Sequence, residues 1–139
     1  MTDFQKYLKR LHSGDRSMNP FLEFMGMVLE QLDDGYARFR MPVQNAFLQG
    51  AGVVQGGLIV AMASETIAHA VMTLLKPGEG IATIELKNNF LATAKEGDLV
   101  AEGKVFKKGG TVIIGDALVS SESGKALSRT SSSILLLTK

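Results

Sequence analysis

At 139 residues with 45% hydrophobic side chains, the chain suits one globular domain over residues 1–139 and is too apolar to be disordered. Fifteen basic against fourteen acidic side chains leave a net charge of +1, which argues against a nucleic-acid partner, since such a binder gathers a basic excess on one face. Cysteine is absent, so a disulfide framework, a thiolate metal cluster and a cysteine nucleophile are all excluded. The charged start MTDFQKYLKRLHSGD lacks the apolar core of a secretory signal, and a cytoplasmic location is expected.

Residues 1–25 read as an N-terminal helical segment. Phe4, Tyr7, Leu8 and Leu11 recur at helical spacing, and Ser13-Gly14-Asp15 breaks the pattern. Asn19-Pro20 then supplies an N-cap followed by a proline at the first helical position, which predicts a short helix to Met25. Met27 to Leu32 and Tyr36 to Val43 are expected strands around the turn Asp33-Asp34-Gly35. In the second of them Tyr36, Arg38 and Arg40 alternate with Ala37, Phe39 and Met41, the period of a half-buried strand.

A glycine-bearing loop, Gln44 to Gln55, leads into an apolar helix predicted from about Gly57 to Lys76, a rod of roughly 30 Å. It is apolar nearly all round and should be wrapped by other structure. Leu58 to Leu75 is long enough to raise a membrane span, but Glu65 and His69 near its middle would be costly in lipid, and no membrane is expected. Ile81 to Leu91, Leu99 to Lys107, Thr111 to Ser120 and Ala126 to Leu137 are β-branched runs separated by short turns. Strands joined so closely pair antiparallel. The expected class is α+β: one long helix wrapped by an antiparallel sheet.

That order of elements looks like the hotdog fold. Gln49-Gly50-Ala51-Gly52-Val53-Val54-Gln55-Gly56-Gly57 resembles the loop of phenylacetate-degradation-type (PaaI-like) thioesterases, in which Asn or Gln, Gly, then His or Gln with Gly-Gly enter the central helix. Ala82 to Leu91, Gly97 to Gly103 and Lys107-Lys108-Gly109 continue the likeness, which runs from about Phe21 to the C-terminus. The resemblance implies hydrolysis of acyl-coenzyme A by a homodimer or homotetramer, with the site shared between subunits. Fold alone does not license this, because the same fold serves other chemistries.

Thioester hydrolysis needs a carbonyl polariser, and backbone N–H groups at a helix start supply one. Gly56 and Gly57, lacking Cβ, would let the acyl oxygen approach those groups. Gln55 stands where many relatives carry His; it can position by hydrogen bonding but does not titrate, and it reads equally as a loop amide serving local backbone. Gln49 matches the family's Asn or Gln and would orient the water or the thioester.

A carboxylate is also required as base or nucleophile. Nine residues after Gln55, where the family places Asp or Glu, this chain has Ser64, and Glu65 lies one further. One residue turns a helix by about 100°. The choice between Glu65 and a water held by Ser64 stays open. Thr83 aligns with a Ser or Thr that assists the carboxylate in some relatives. Glu65 and His69 share a helix face and read as a buried pair satisfying each other; as a metal site they lack further ligands. No cofactor is expected. Lys104, Lys107, Lys108 and Arg129 would meet coenzyme A phosphates or remain solvated charges. Two rivals accompany the thioesterase: a non-catalytic acyl-coenzyme A binder that has lost its carboxylate at Ser64, and an enoyl-thioester hydratase or dehydratase using His69 with Glu65.

Overall fold

The computed structural model describes residues 3–138. Ten elements follow in chain order: α1 (Phe4–His12), α2 (Pro20–Met25), β1 (Val28–Asp33), β2 (Tyr36–Pro42), a 3-10 turn (Asn45–Phe47), α3 (Gly56–Met72), β3 (Gly80–Phe90), β4 (Asp98–Lys108), β5 (Val112–Ser121) and β6 (Ala126–Leu137). The six strands form one antiparallel sheet in the order β1-β2-β4-β5-β6-β3. The expected α+β hotdog arrangement is what the chain adopts.

Alternation decides which face of the sheet takes the helix. On β2, Ala37, Phe39 and Met41 are buried and Arg38 and Arg40 point outward to Glu30. On β4 and β5 the buried set is Leu99, Ala101, Ile113, Ala117 and Val119. Helix α3 lies on this face with Ile59, Met62, Ala63, Ile67, Ala70 and Val71 inward, burying apolar area worth roughly 25 cal/mol per Å². The approach is close: a Cβ at Gly103 would stand 2.8 Å from the carbonyl oxygen of Thr66.

Helix α3 ends at Met72, four residues before the expected Lys76. The hydroxyl of Thr73 donates to the carbonyl of Ala70 (2.7 Å) and accepts the N–H of Gly35 (2.7 Å), so the chain is tied to the β1–β2 turn instead of winding on. No helix among the described residues is long and apolar enough to cross a membrane.

Two features bear on the site. First, β3 is an edge strand of 11 residues, with exposed Ile84 at a bulge between Thr83 and Glu85. Second, one stripe of α3 (Gly57, Ala61, Ser64, Ala68) is left only partly covered. The opposite flank is closed by α1 and α2, whose Tyr7, Leu8, Leu11, Leu22 and Met25 join the core.

Candidate active site

The loop before α3 is folded back on itself. Leu48 bridges Val54, the N–H of Gln49 donates to the carbonyl of Val53 (2.9 Å), and the N–H of Gln55 donates to the carbonyl of Phe47 (2.9 Å). The Gln49 side chain accepts the N–H of Ala51 in this turn. Gln55 is the N-cap of α3: its Oε1 accepts the N–H of Leu58 at 3.2 Å. Both glutamines thus hold the loop and the helix start in place.

Gly56 and Gly57 follow as the first residues of α3, where an amide has no carbonyl four residues back to donate to. No hydrogen bond outside the helix uses either amide among the described residues. Their N–H groups sit at the positive end of the helix dipole and are free for an incoming oxygen. Side chains approach both glycines closely. A Cβ at Gly56 would fall 2.8 Å from Cζ of Phe90, and one at Gly57 would fall 2.6 Å from Oε1 of Gln55. Phe90, itself 57% exposed, therefore walls the helix start from the end of β3.

Ser64 and Glu65 lie two turns further along. Ser64 is seven residues from Gly57, about 10.5 Å along the axis and only about 20° around it, so the two share the partly open stripe. Glu65 is rotated about 80° from Gly57, toward α1 and α2. Its side chain is 27% exposed, and Oε2 accepts from Nδ2 of Asn19 at 3.3 Å. Burial raises its pKa above the ordinary carboxylate value, and the Asn19 hydrogen bond works in the opposite direction.

His69, one turn on, is fully buried. Its Nδ1 lies 2.6 Å from the backbone carbonyl of Glu65 and 3.8 Å from the Glu65 carboxylate. Its Nε2 lies 2.7 Å from the hydroxyl of Tyr7, and the edge of Phe39 meets the ring with centroids 4.9 Å apart. Burial lowers its pKa to about 4, so the ring is neutral near pH 7. The Glu65–His69 pairing expected from spacing is real as a contact, but it runs through the peptide carbonyl. The imidazole's second partner is Tyr7, 62 residues away.

Thr83 points to the helix side of β3, opposite buried Ile134. Seven strand residues, about 23 Å, separate it from Phe90 and hence from the helix start. Within one chain the structure brings together Gln55, Gly56, Gly57 and Phe90, and separately Glu65, His69, Tyr7 and Asn19, with Ser64 on the helix stripe of Gly57. Thr83 stands apart from the first group. Tyr7 and Asn19 were legible only as an apolar helix position and an N-cap; spacing carries no signal of a contact 46 residues away. Among the described residues no three His, Asp or Glu side chains gather as metal ligands.

Comparison with known proteins gives a consistent picture. A profile of the thioesterase superfamily matches residues 51–128, more than half of the chain. A protein of Saccharolobus solfataricus described as an esterase is 32% identical over 93 residues, 67% of this chain and 61% of that protein's length. A second from the same organism, also described as an esterase, is 30% identical over 107 residues, 77% of this chain and 76% of the other. Among solved structures, a phenylacetic acid degradation-related thioesterase from Ralstonia eutropha superposes with a TM-score of 0.85 at 25% identity, covering 93% of this chain and 98% of that one. A thioesterase family protein from Silicibacter pomeroyi shares the fold at TM-score 0.85 and 21% identity, covering 96% and 99%.

Proposed function

The chain belongs to the thioesterase superfamily, and from that premise we propose that it hydrolyses acyl-coenzyme A thioesters at a site completed by two copies of the chain. One observation carries the proposal. The free amides of Gly56 and Gly57 and the carboxylate of Glu65 lie on the same helix, but eight residues separate Gly57 from Glu65, about 12 Å of rise. A base and an oxyanion donor must both lie near 3 Å from the reacting atoms. One chain cannot supply both to one substrate; two antiparallel helices can.

The edge strand β3 supports that arrangement. A strand of this length with one edge left unpaired is a template for another strand. Two-fold antiparallel pairing along β3 would bring the Thr83 end of a second copy toward the Phe90 end of the first, beside the helix start. It also lays the two α3 helices side by side and antiparallel on one face of the joined sheet. The start of one helix then passes the Ser64–Glu65 turn of the other.

In this reading the acyl oxygen accepts hydrogen bonds from Gly57 and Gly56 of one copy. Glu65 of the other takes a proton from water as the water oxygen attacks the carbonyl carbon. Collapse of the tetrahedral adduct expels the coenzyme A thiolate, which takes the proton back from Glu65, leaving acid and thiol. Its raised pKa brings the carboxylate closer to the operating range of a base near neutrality. Ser64, on the stripe shared with Gly57, would orient the water.

Complementation of two inactive variants tests the shared site. Gly57→Val spoils the helix start and Glu65→Gln the base. In a mixed dimer one site carries both changes and the other carries neither. Random exchange of equal amounts should restore about a quarter of wild-type turnover. No recovery in mixtures shown to contain mixed dimers refutes the shared site. Glu65 lies off the stripe that Gly57 and Ser64 share, which favours a second reading: an acyl-coenzyme A binder without turnover. Calorimetric binding of acyl-coenzyme A with no release of free thiol would establish that reading instead.

A further inference from the structure

We infer that Asn19, at the start of α2, is a positioning residue for Glu65, holding its carboxylate in place through a side-chain amide whose every hydrogen-bonding atom is committed. The inference rests on the reading of Glu65 as the base.

The direction of each hydrogen bond follows from the ends of the chain of contacts. A backbone carbonyl only accepts, so His69 Nδ1 must be the protonated nitrogen facing the carbonyl of Glu65 at 2.6 Å. In a neutral ring the other nitrogen is then an acceptor, and the Tyr7 hydroxyl must donate to Nε2 at 2.7 Å. Its proton spent, the Tyr7 oxygen accepts from Nδ2 of Asn19 at 3.1 Å. The other end of Asn19 is settled independently: the N–H of Leu22 only donates, so the atom 3.3 Å away is Oδ1. The amide therefore has one orientation. Of its two N–H bonds, one goes to Tyr7 and the other to Oε2 of Glu65, at 3.3 Å.

This explains the residue type. Asp, Ser and Asn all serve well as N-caps, and capping α2 needs only an oxygen. Of these three, only asparagine caps with an oxygen and still presents two donors. The surplus donors are aimed at the residue that orients His69 and at the carboxylate of the proposed base. A residue that merely stapled α2 to the core would not need them.

The electrostatic surroundings of Glu65 are simple. Tyr7 approaches from α1, Asn19 from the start of α2, and His69 from α3 itself. His69 is uncharged above about pH 4, and burial, with the Glu65 charge adding to it, raises the pKa of Tyr7 so that it stays protonated. No Lys or Arg is paired with Glu65 among the described residues. Among the described residues the Asn19 amide is thus the one group on this flank that favours the ionised carboxylate.

The test uses variants that keep the cap and lose the donors. Asn19→Ser and Asn19→Asp both leave an oxygen for the N–H of Leu22. With an acyl-coenzyme A that the wild type hydrolyses, each should lower kcat about ten- to a hundredfold, the span expected for losing a hydrogen bond to an ionised group. KM should stay near the wild-type value. The acidic limb of the kcat profile, where the base becomes protonated, should move to higher pH, and further for Asn19→Asp, whose carboxylate repels that of Glu65. Folded Asn19→Ser and Asn19→Asp with wild-type kcat and an unmoved acidic limb overturn the inference while a dead Glu65→Gln leaves the base assignment standing. Full activity in Glu65→Gln overturns both.

Discussion

Replacing Gly57 by alanine puts a methyl group 2.6 Å from Oε1 of Gln55, the atom that caps the N–H of Leu58. Gln55 is exposed and its side chain can swing out, so the clash is relieved by losing the cap. Losing a cap costs about 1 kcal/mol, and exchanging glycine for alanine in the first turn returns up to about 1 kcal/mol of helix propensity. Folding stability should therefore change little. The rate should not be spared, because the same methyl stands beside the amides assigned to the acyl oxygen. Displacing one such donor costs about 2.7–4 kcal/mol in the barrier, a hundred- to a thousandfold in kcat. Thermal denaturation followed by circular dichroism reports the first quantity, and release of free thiol from acyl-coenzyme A the second. Gln55→Ala removes the cap without adding the methyl and isolates the capping contribution, so Gly57→Ala should turn over far more slowly than Gln55→Ala. A folded Gly57→Ala protein with wild-type kcat would refute the role given to the helix start.

Glu65→Gln keeps size and the Asn19 contact while removing basicity, and should lower the rate about 10²–10⁴-fold; Ser64→Ala should cost less, and the reverse order would move the base function to a water held by Ser64. Ser64→Asp restores a carboxylate to the stripe shared with Gly57, and a large gain in turnover would mark the natural protein as a weak enzyme or a binder. Light scattering at micromolar concentration should show a dimer or tetramer; monomer alone removes the shared site. His69, protonating at about 4 in the fold against 6.5 for a free imidazole, should show an unchanged, Nδ1-protonated ring by NMR from pH 5 to 8. Between those two values the unfolded chain holds more protons, so stability should fall as pH drops from 6.5 toward 4, by about 3 kcal/mol at most. The raised pKa of Glu65 opposes that loss, since the folded carboxyl takes up its proton more readily. Titration of His69 near 6.5 would contradict its burial.

Much of this protein was legible in its residues because local periodicity encodes which side faces a core. Alternation along Tyr36 to Met41, the apolar sweep from Leu58 to Val71 and the turn residues between later strands determined the elements, and short turns determined antiparallel pairing. Gly56 and Gly57 likewise announced a helix start that something approaches closely. Tertiary structure decided what spacing cannot express. The end of α3 at Met72 depends on Thr73 meeting Gly35 across 38 residues. The split of Ser64 onto the Gly57 stripe and Glu65 onto the α2 flank depends on which faces of the helix the sheet and the N-terminal segment cover. The environment of Glu65 was hidden for the same reason. Its partners, Tyr7 and Asn19, are supplied by a segment folding back over α3, and side chains meet there only because burying the apolar face of that segment carries them into place.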